Sequence, residues 1–123
     1  MKNNGIYIHL TFATKYREKT FLDSELKEII AEIINKVCCY IQLSLIALAV
    51  DDDHVHILFE FDPSLKISGI ICRLKAISSK RWNALFDSRG CKLWQRSYAI
   101  ESVSIKNKVN LINYLNHHNL VEV

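Results

Sequence analysis

The sequence lacks most of what would mark it as a membrane, secreted or disulfide-stapled protein. No apolar run reaches the roughly 20 residues that a bilayer-spanning helix needs. The stretch from Met1 to Gly5 lacks the charged-then-apolar layout of a secretory signal. A cytoplasmic location is therefore expected, with no membrane partner. The four cysteines, Cys38, Cys39, Cys72 and Cys91, form no C-x-x-C arrangement, so neither a zinc site nor a redox pair is indicated and reduced thiols are expected. Internal repeats and low-complexity segments are also missing.

What is present suits one compact domain spanning residues 1–123. Half of the 123 residues are hydrophobic, enough for a real core and too few for two. Net charge is only +3 but unevenly spread. Residues 1–65 hold six Lys/Arg against ten Asp/Glu, whereas residues 66–108 hold ten against two. A basic block of that kind is an electrostatic footprint for phosphate, although a solvated basic face has the same composition.

The most informative stretch runs from Asp53 to Phe61. As a strand it alternates cleanly: Val55, Ile57, Phe59 and Phe61 form an apolar face, and His54, His56, Leu58 and Glu60 form the other. The two imidazoles then project from the uncovered side of a sheet with backbones about 6.5–7 Å apart, close enough to converge on one ion.

Around it the chain reads as strand, helix, strand, strand, helix, strand, then a last helix. Gly5 to Lys15 is a half-covered strand whose His9 shares the polar face, followed by the basic exit loop Lys15–Lys19. Asp23 is a plausible N-cap for a helix whose stripe is Leu26, Ile29, Ile30, Ile33, Ile34 and Val37. Ile41 to Val50 reads as a buried strand and Asp51-Asp52-Asp53 as a turn. Pro63 and Ser64 precede a second helix from Ile67 to about Phe86, whose polar side carries Lys66, Arg73 and Lys80, with Lys75 and Arg81 nearby. Leu93 to Ile100 reads as a further strand. Its Trp94 and Tyr98 suit either the core or base stacking. Ile105 to His118 forms the last helix, with a stripe of Ile105, Val109, Ile112 and Leu115. Tyr114 falls nearly opposite that stripe, with His118 at i+4. The fold class is α+β: a ferredoxin-like (RRM-like) antiparallel sheet with helices on one face, plus a C-terminal helix carrying the tyrosine.

A His-x-His strand, a basic helix and a tyrosine on a polar helical face are what phosphodiester cleavage by a covalent tyrosine requires. Two imidazoles and one further ligand can hold a divalent cation, which offsets charge building on the phosphate oxygens. A phenol with an ordinary pKa about 10 needs such help to act as a nucleophile near neutrality.

Five ordered stretches extend this reading: Thr14-Lys15-Tyr16-Arg17; Asp53 through Leu58; Leu74-Lys75 with Ser78, Ser79 and Arg81; Leu93-Trp94-Gln95 with Tyr98; and Tyr114-Leu115. Together they resemble the single-tyrosine HUH transposases of the insertion-sequence 200/605 family. The resemblance implies a homodimer that recognises hairpins in single-stranded DNA, a 5′-phosphotyrosine intermediate and rejoining without nucleotide hydrolysis. It implies Tyr114 as nucleophile and His54 and His56 as ligands of Mg2+ or Mn2+. Where relatives carry a glutamine as third ligand this chain has His118, with His117 a rival. Phosphate contacts are expected from Lys15, Arg17, Arg73, Lys75, Lys80 and Arg81. Two alternatives share the fold: a catalytically decayed or repurposed nucleic-acid-binding module, and a metal-dependent phosphodiesterase in which Tyr114 is incidental.

Overall fold

The computed structural model describes residues 6–86 and 92–116. Its elements are β1 (Tyr7–Ala13), a 3-10 turn (Lys15–Arg17), α1 (Ser24–Tyr40), β2 (Ser44–Val50), β3 (His54–Glu60), α2 (Ile67–Phe86), β4 (Ala99–Val103) and α3 (Ile105–Asn116). Every strand pairing is antiparallel and the order across the sheet is β2-β3-β1-β4. The expected ferredoxin-like α+β sheet is what forms, with β1 and β3 at its centre.

The alternation read in β1 and β3 places the core. Ile8, Leu10 and Phe12 from one strand and Val55, Ile57 and Phe59 from the other are all buried. They pack on Ile30, Ile34 and Val37 of α1 and Ile71, Leu74 and Trp82 of α2. Each such side chain contributes about 1.5–3 kcal/mol, an upper bound because the unfolded chain already buries part of its surface. Asp23 does stand at the N-cap of α1, but its side chain makes no capping bond. The helix start is tied down by Lys27 instead, whose Nζ donates to Phe21 O and to Asp52 Oδ1, both at 2.7 Å. That bond joins α1 to the β2–β3 turn.

Three expectations need correction. The fourth strand is Ala99–Val103, and within 93–98 the only ladder contact among the described residues is an isolated bridge between Thr14 and Trp94. The aromatic residue that made this segment read as a strand plugs the core: the Trp94 ring meets Phe12 edge-on at 4.6 Å and its Nε1 donates to Ser78 Oγ at 2.9 Å. β2 starts at Ser44, because Gln42 turns the chain with φ 60°.

The third correction concerns α3 and the face it covers. The helix lies across the sheet on the side opposite α1 and α2, with Leu111, Ile112 and Leu115 against Tyr7, Ala47, Ala49, Leu58 and Val103. Ile105 and Val109, expected in the buried stripe, are exposed at 60% and 53%. The helix is rotated toward Lys108, whose Nζ sits 4.3 Å from the centre of the Tyr7 ring. The histidine face is therefore not uncovered, since an apolar patch centred on Leu58 needs burying and α3 buries it.

Candidate functional site

The site grows out of the tight β2–β3 connection. Val50 pairs with Val55, and Asp51 N–H donates to His54 O at 2.8 Å, so residues 51–54 double back within one turn. That folding sets Asp51, Asp53 and His54 around one point. His54 Nδ1 lies 2.7 Å from Asp53 Oδ1, and His54 Nε2 lies 3.6 Å from Asp51 Oδ2. The hydrogen bond from His54 holds the Asp53 carboxyl below the ordinary carboxylate range, helped by the nearby Arg17 guanidinium. An ionised Asp53 in turn fixes the His54 ring, leaving Nε2 turned toward Asp51.

His56, two residues on, sits on the same face with its ring centre 4.9 Å from that of His54. Its Nδ1 lies 3.0 Å from His9 Nε2 and 3.4 Å from Thr11 Oγ1. His9 Nδ1 lies 3.0 Å from Glu101 Oε1 on β4. All of these side chains are half-buried except Glu101, which is exposed.

Asp51, His54 and His56 each offer a ligand atom within 4.8 Å of the others. Two donors on one cation at about 2.1 Å each stand roughly 3.0–3.4 Å apart, so the 3.6 Å between Asp51 and His54 needs little adjustment. One carboxylate and two imidazoles suit a divalent cation of intermediate hardness. The donor set fits.

Beside His54 opens a cleft of about 310 Å3 lined by residues that include Arg17, Gln95, Ser97, Tyr98 and Ala99. Its near wall is the turn after β1, where Tyr16 and Arg17 both take positive φ, 60° and 51°. Thr14 Oγ1 braces this turn by donating to Glu18 O at 2.6 Å. Arg17 Nε stands 3.5 Å from Asp53 Oδ2, and Lys15 Nζ lies over the Tyr16 ring. The fold thus brings Arg17 to the cleft beside His54, whereas the Lys15 side chain lies over the exposed Tyr16 ring.

The other basic residues lie elsewhere. Arg73, Lys80 and Arg81 are on α2, across the sheet from His54 and His56. Arg73 and Lys80 are exposed, whereas Arg81 stacks on Tyr40. Lys75 is turned inward: its Nζ donates to the carbonyls of Gln95, Arg96 and Ser97 at 2.6, 3.1 and 3.3 Å and sits over the Phe12 and Tyr98 rings. Burial pushes its pKa down. Tyr114 is on the exposed side of α3, with 57% of its surface accessible. His117 and His118 lie outside the described residues.

Sequence reasoning overlooked Asp51 as a donor. In a run of three aspartates it read as turn composition, and its i,i+3 spacing to His54 was the available signal. Glu101 was invisible for a different reason, because it joins the site only through the register that pairs it with His9.

Fold and site together define an antiparallel α+β domain with an Asp/His/His cluster that could hold a metal ion and a tyrosine-bearing helix appended. The chain belongs to the IS200-like transposase family, whose model matches residues 2–118. That is a family of DNA-processing enzymes. The chain is similar to the transposase of insertion sequence element IS200 from Salmonella typhimurium, with 29% identity over 114 residues covering 89% of this chain and 74% of that protein. Among solved structures it is similar to a protein from Deinococcus radiodurans R1 assigned as a transposase, with TM-score 0.72, 30% identity, and 91% and 90% of the two chains covered. A REP-associated tyrosine transposase bound to a REP hairpin shares the fold at TM-score 0.65, with 16% identity over 90% of this chain and 64% of that one. No helix among the described residues is long and apolar enough to cross a membrane.

Proposed function

We propose that this chain is a metal-dependent transposase that cleaves and rejoins single-stranded DNA at hairpin-containing element ends, with Tyr114 as its nucleophile. The observation that carries the reading is the convergence of Asp51, His54 and His56 on one point beside an Arg-lined cleft. Asp51, His54 and His56 would hold Mg2+ or Mn2+, with His118 as a further ligand. When bound, the cation polarises the scissile phosphate and offsets the charge that develops on its oxygens.

The chain's own residues supply the rest. Tyr114 Oη loses its proton and attacks the phosphorus; the P–O3′ bond breaks, the leaving O3′ takes up a proton, and the 5′ side stays on the protein as phosphotyrosine. A 3′-hydroxyl from another end then attacks the same phosphorus and releases the phenol, so no nucleotide is hydrolysed. Lys15 and Arg17 bind the backbone phosphates nearest the cut. Arg73, Lys80 and Arg81 hold flanking DNA on the α2 side without reading sequence. Lys75 contributes to phosphate binding only where a phosphate displaces its carbonyl partners. The working form is a homodimer. The exposure of Tyr114 supports a role toward a partner's histidines, and among the described residues β4 is an edge strand that a partner could pair with.

Incubation with a labelled hairpin-bearing oligonucleotide library and Mn2+ tests the proposal. A covalent adduct surviving denaturing gels is expected, absent in EDTA and in His54→Ala. Retained DNA binding without any adduct would move the chain to the non-catalytic binding module. Cleavage without adduct, surviving Tyr114→Phe, would make it a phosphodiesterase.

A further inference from the structure

We infer that His9 and Glu101 form a positioning relay that sets the tautomer and orientation of His56 toward a divalent cation. The inference rests on the metal-site reading above and goes beyond it to two residues on other strands. Glu101, His9 and His56 come from β4, β1 and β3, three neighbouring strands. The register pairs His9 with Glu101 directly and Thr11 with His56, so His9 sits diagonal to His56 on the same face. Each link of the resulting chain is 3.0 Å, from Glu101 Oε1 to His9 Nδ1 and from His9 Nε2 to His56 Nδ1.

The direction of the hydrogen bonds follows from the donor inventory. An ionised carboxylate only accepts, so His9 carries its proton on Nδ1 and donates it to Glu101. In the neutral ring His9 Nε2 is then an acceptor; the Thr11 hydroxyl lies farther off, at 3.5 Å, and the 3.0 Å contact to His56 is a hydrogen bond when His56 carries its proton on Nδ1. That tautomer puts the lone pair of His56 on Nε2 and makes it the nitrogen free to bind a cation. His54 reaches the same state by a shorter route, because Asp53 takes its Nδ1–H at 2.7 Å and leaves Nε2 toward Asp51. One imidazole is therefore set by a carboxylate directly and the other by a carboxylate acting through a second imidazole. Near-parallel stacking of His9 on His56, at 23° between ring planes, also limits rotation of the ligand ring. Outer partners of this kind change metal affinity without touching the metal, typically by about 10–100-fold when removed.

The test is Mn2+ affinity by calorimetry on the DNA-free protein, with thermal melts of the metal-free variants to confirm folding. His9→Phe is expected to weaken Mn2+ binding about 10–100-fold. His9→Gln, whose amide oxygen can accept from His56, should recover most of the loss. Glu101→Ala should weaken binding several-fold in the parent and add nothing in the His9→Phe background, since the relay is already broken there. A folded His9→Phe protein that binds Mn2+ as tightly as the parent would overturn the relay while leaving the metal site standing. A parent chain that binds no Mn2+ would overturn the metal-site reading itself, and the relay with it.

Discussion

His54 Nε2 and Asp51 Oδ2 face each other at 3.6 Å across the turn that joins β2 to β3. The gap is too long for a good hydrogen bond and about right for two donors around one cation. Asp51→Asn should therefore weaken Mn2+ binding by at least about tenfold. Asp23→Asn, at a helix cap whose side chain makes no capping bond, serves as the control and should leave affinity unchanged. Equal Mn2+ affinity in Asp51→Asn and the parent would remove Asp51 from the ligand set.

Lys75 joins α2 to the segment before β4 through three carbonyls. Lys75→Met keeps the stem against Phe12 and Tyr98 but deletes those bonds, and should cost about 1–2 kcal/mol in urea unfolding, since part of the cluster faces solvent. An unchanged midpoint would mean that the carbonyls are as well satisfied by water.

Ser78 Oγ accepts from Trp94 Nε1 at 2.9 Å while donating to Leu74 O at 2.7 Å. Ser78→Ala strands a buried indole N–H and should destabilise by about 1–3 kcal/mol. Combining it with Trp94→Phe should cost less than the two losses added, because the orphaned donor is gone. Strict additivity in that cycle would show the bond to be energetically idle.

How much of this was legible beforehand depends on the element. Val55, Ile57 and Phe59 announced their face because a strand's period is two and every second residue was apolar. The last helix misled because its apolar residues support two overlapping stripes, one through Ile105 and Val109 and one through Leu111, Ile112 and Leu115. Periodicity cannot choose between them; the patch formed by Tyr7, Ala47, Ala49 and Leu58 does. Trp94 looked like a strand residue, yet it serves as a plug against Phe12 and Phe21, with Ser78 as its anchor. Several of the family-like stretches proved to be scaffolding in this sense, since Thr14, Ser78, Ser79 and Lys75 all spend their polar atoms on backbone or indole partners. The histidine pair was readable, whereas its outer partner Glu101 depended on strand register.

Cys38 gives a pH prediction with a definite sign. Burial, with the neighbouring Cys39 adding to it, pushes its thiol pKa up to about 12 from an ordinary 9.0. The folded state thus holds a proton that the unfolded chain releases, so this stability is fully present below about pH 9 and is lost progressively as pH rises toward 12. At pH 8, iodoacetamide should modify exposed Cys39 and spare Cys38 until the protein unfolds. Mass spectrometry showing both thiols alkylated at equal rates in the folded protein would contradict the buried placement.

The identity of the attacking group is settled most directly by mapping the covalent adduct. After reaction with a hairpin oligonucleotide and Mn2+, the protein is digested with protease and nuclease and the modified peptide is sequenced by tandem mass spectrometry. The account predicts a nucleotide joined through its 5′-phosphate to the phenolic oxygen of Tyr114, and no such peptide from His54→Ala. An adduct mapping to another side chain, or one formed equally well by Tyr114→Phe, would contradict it.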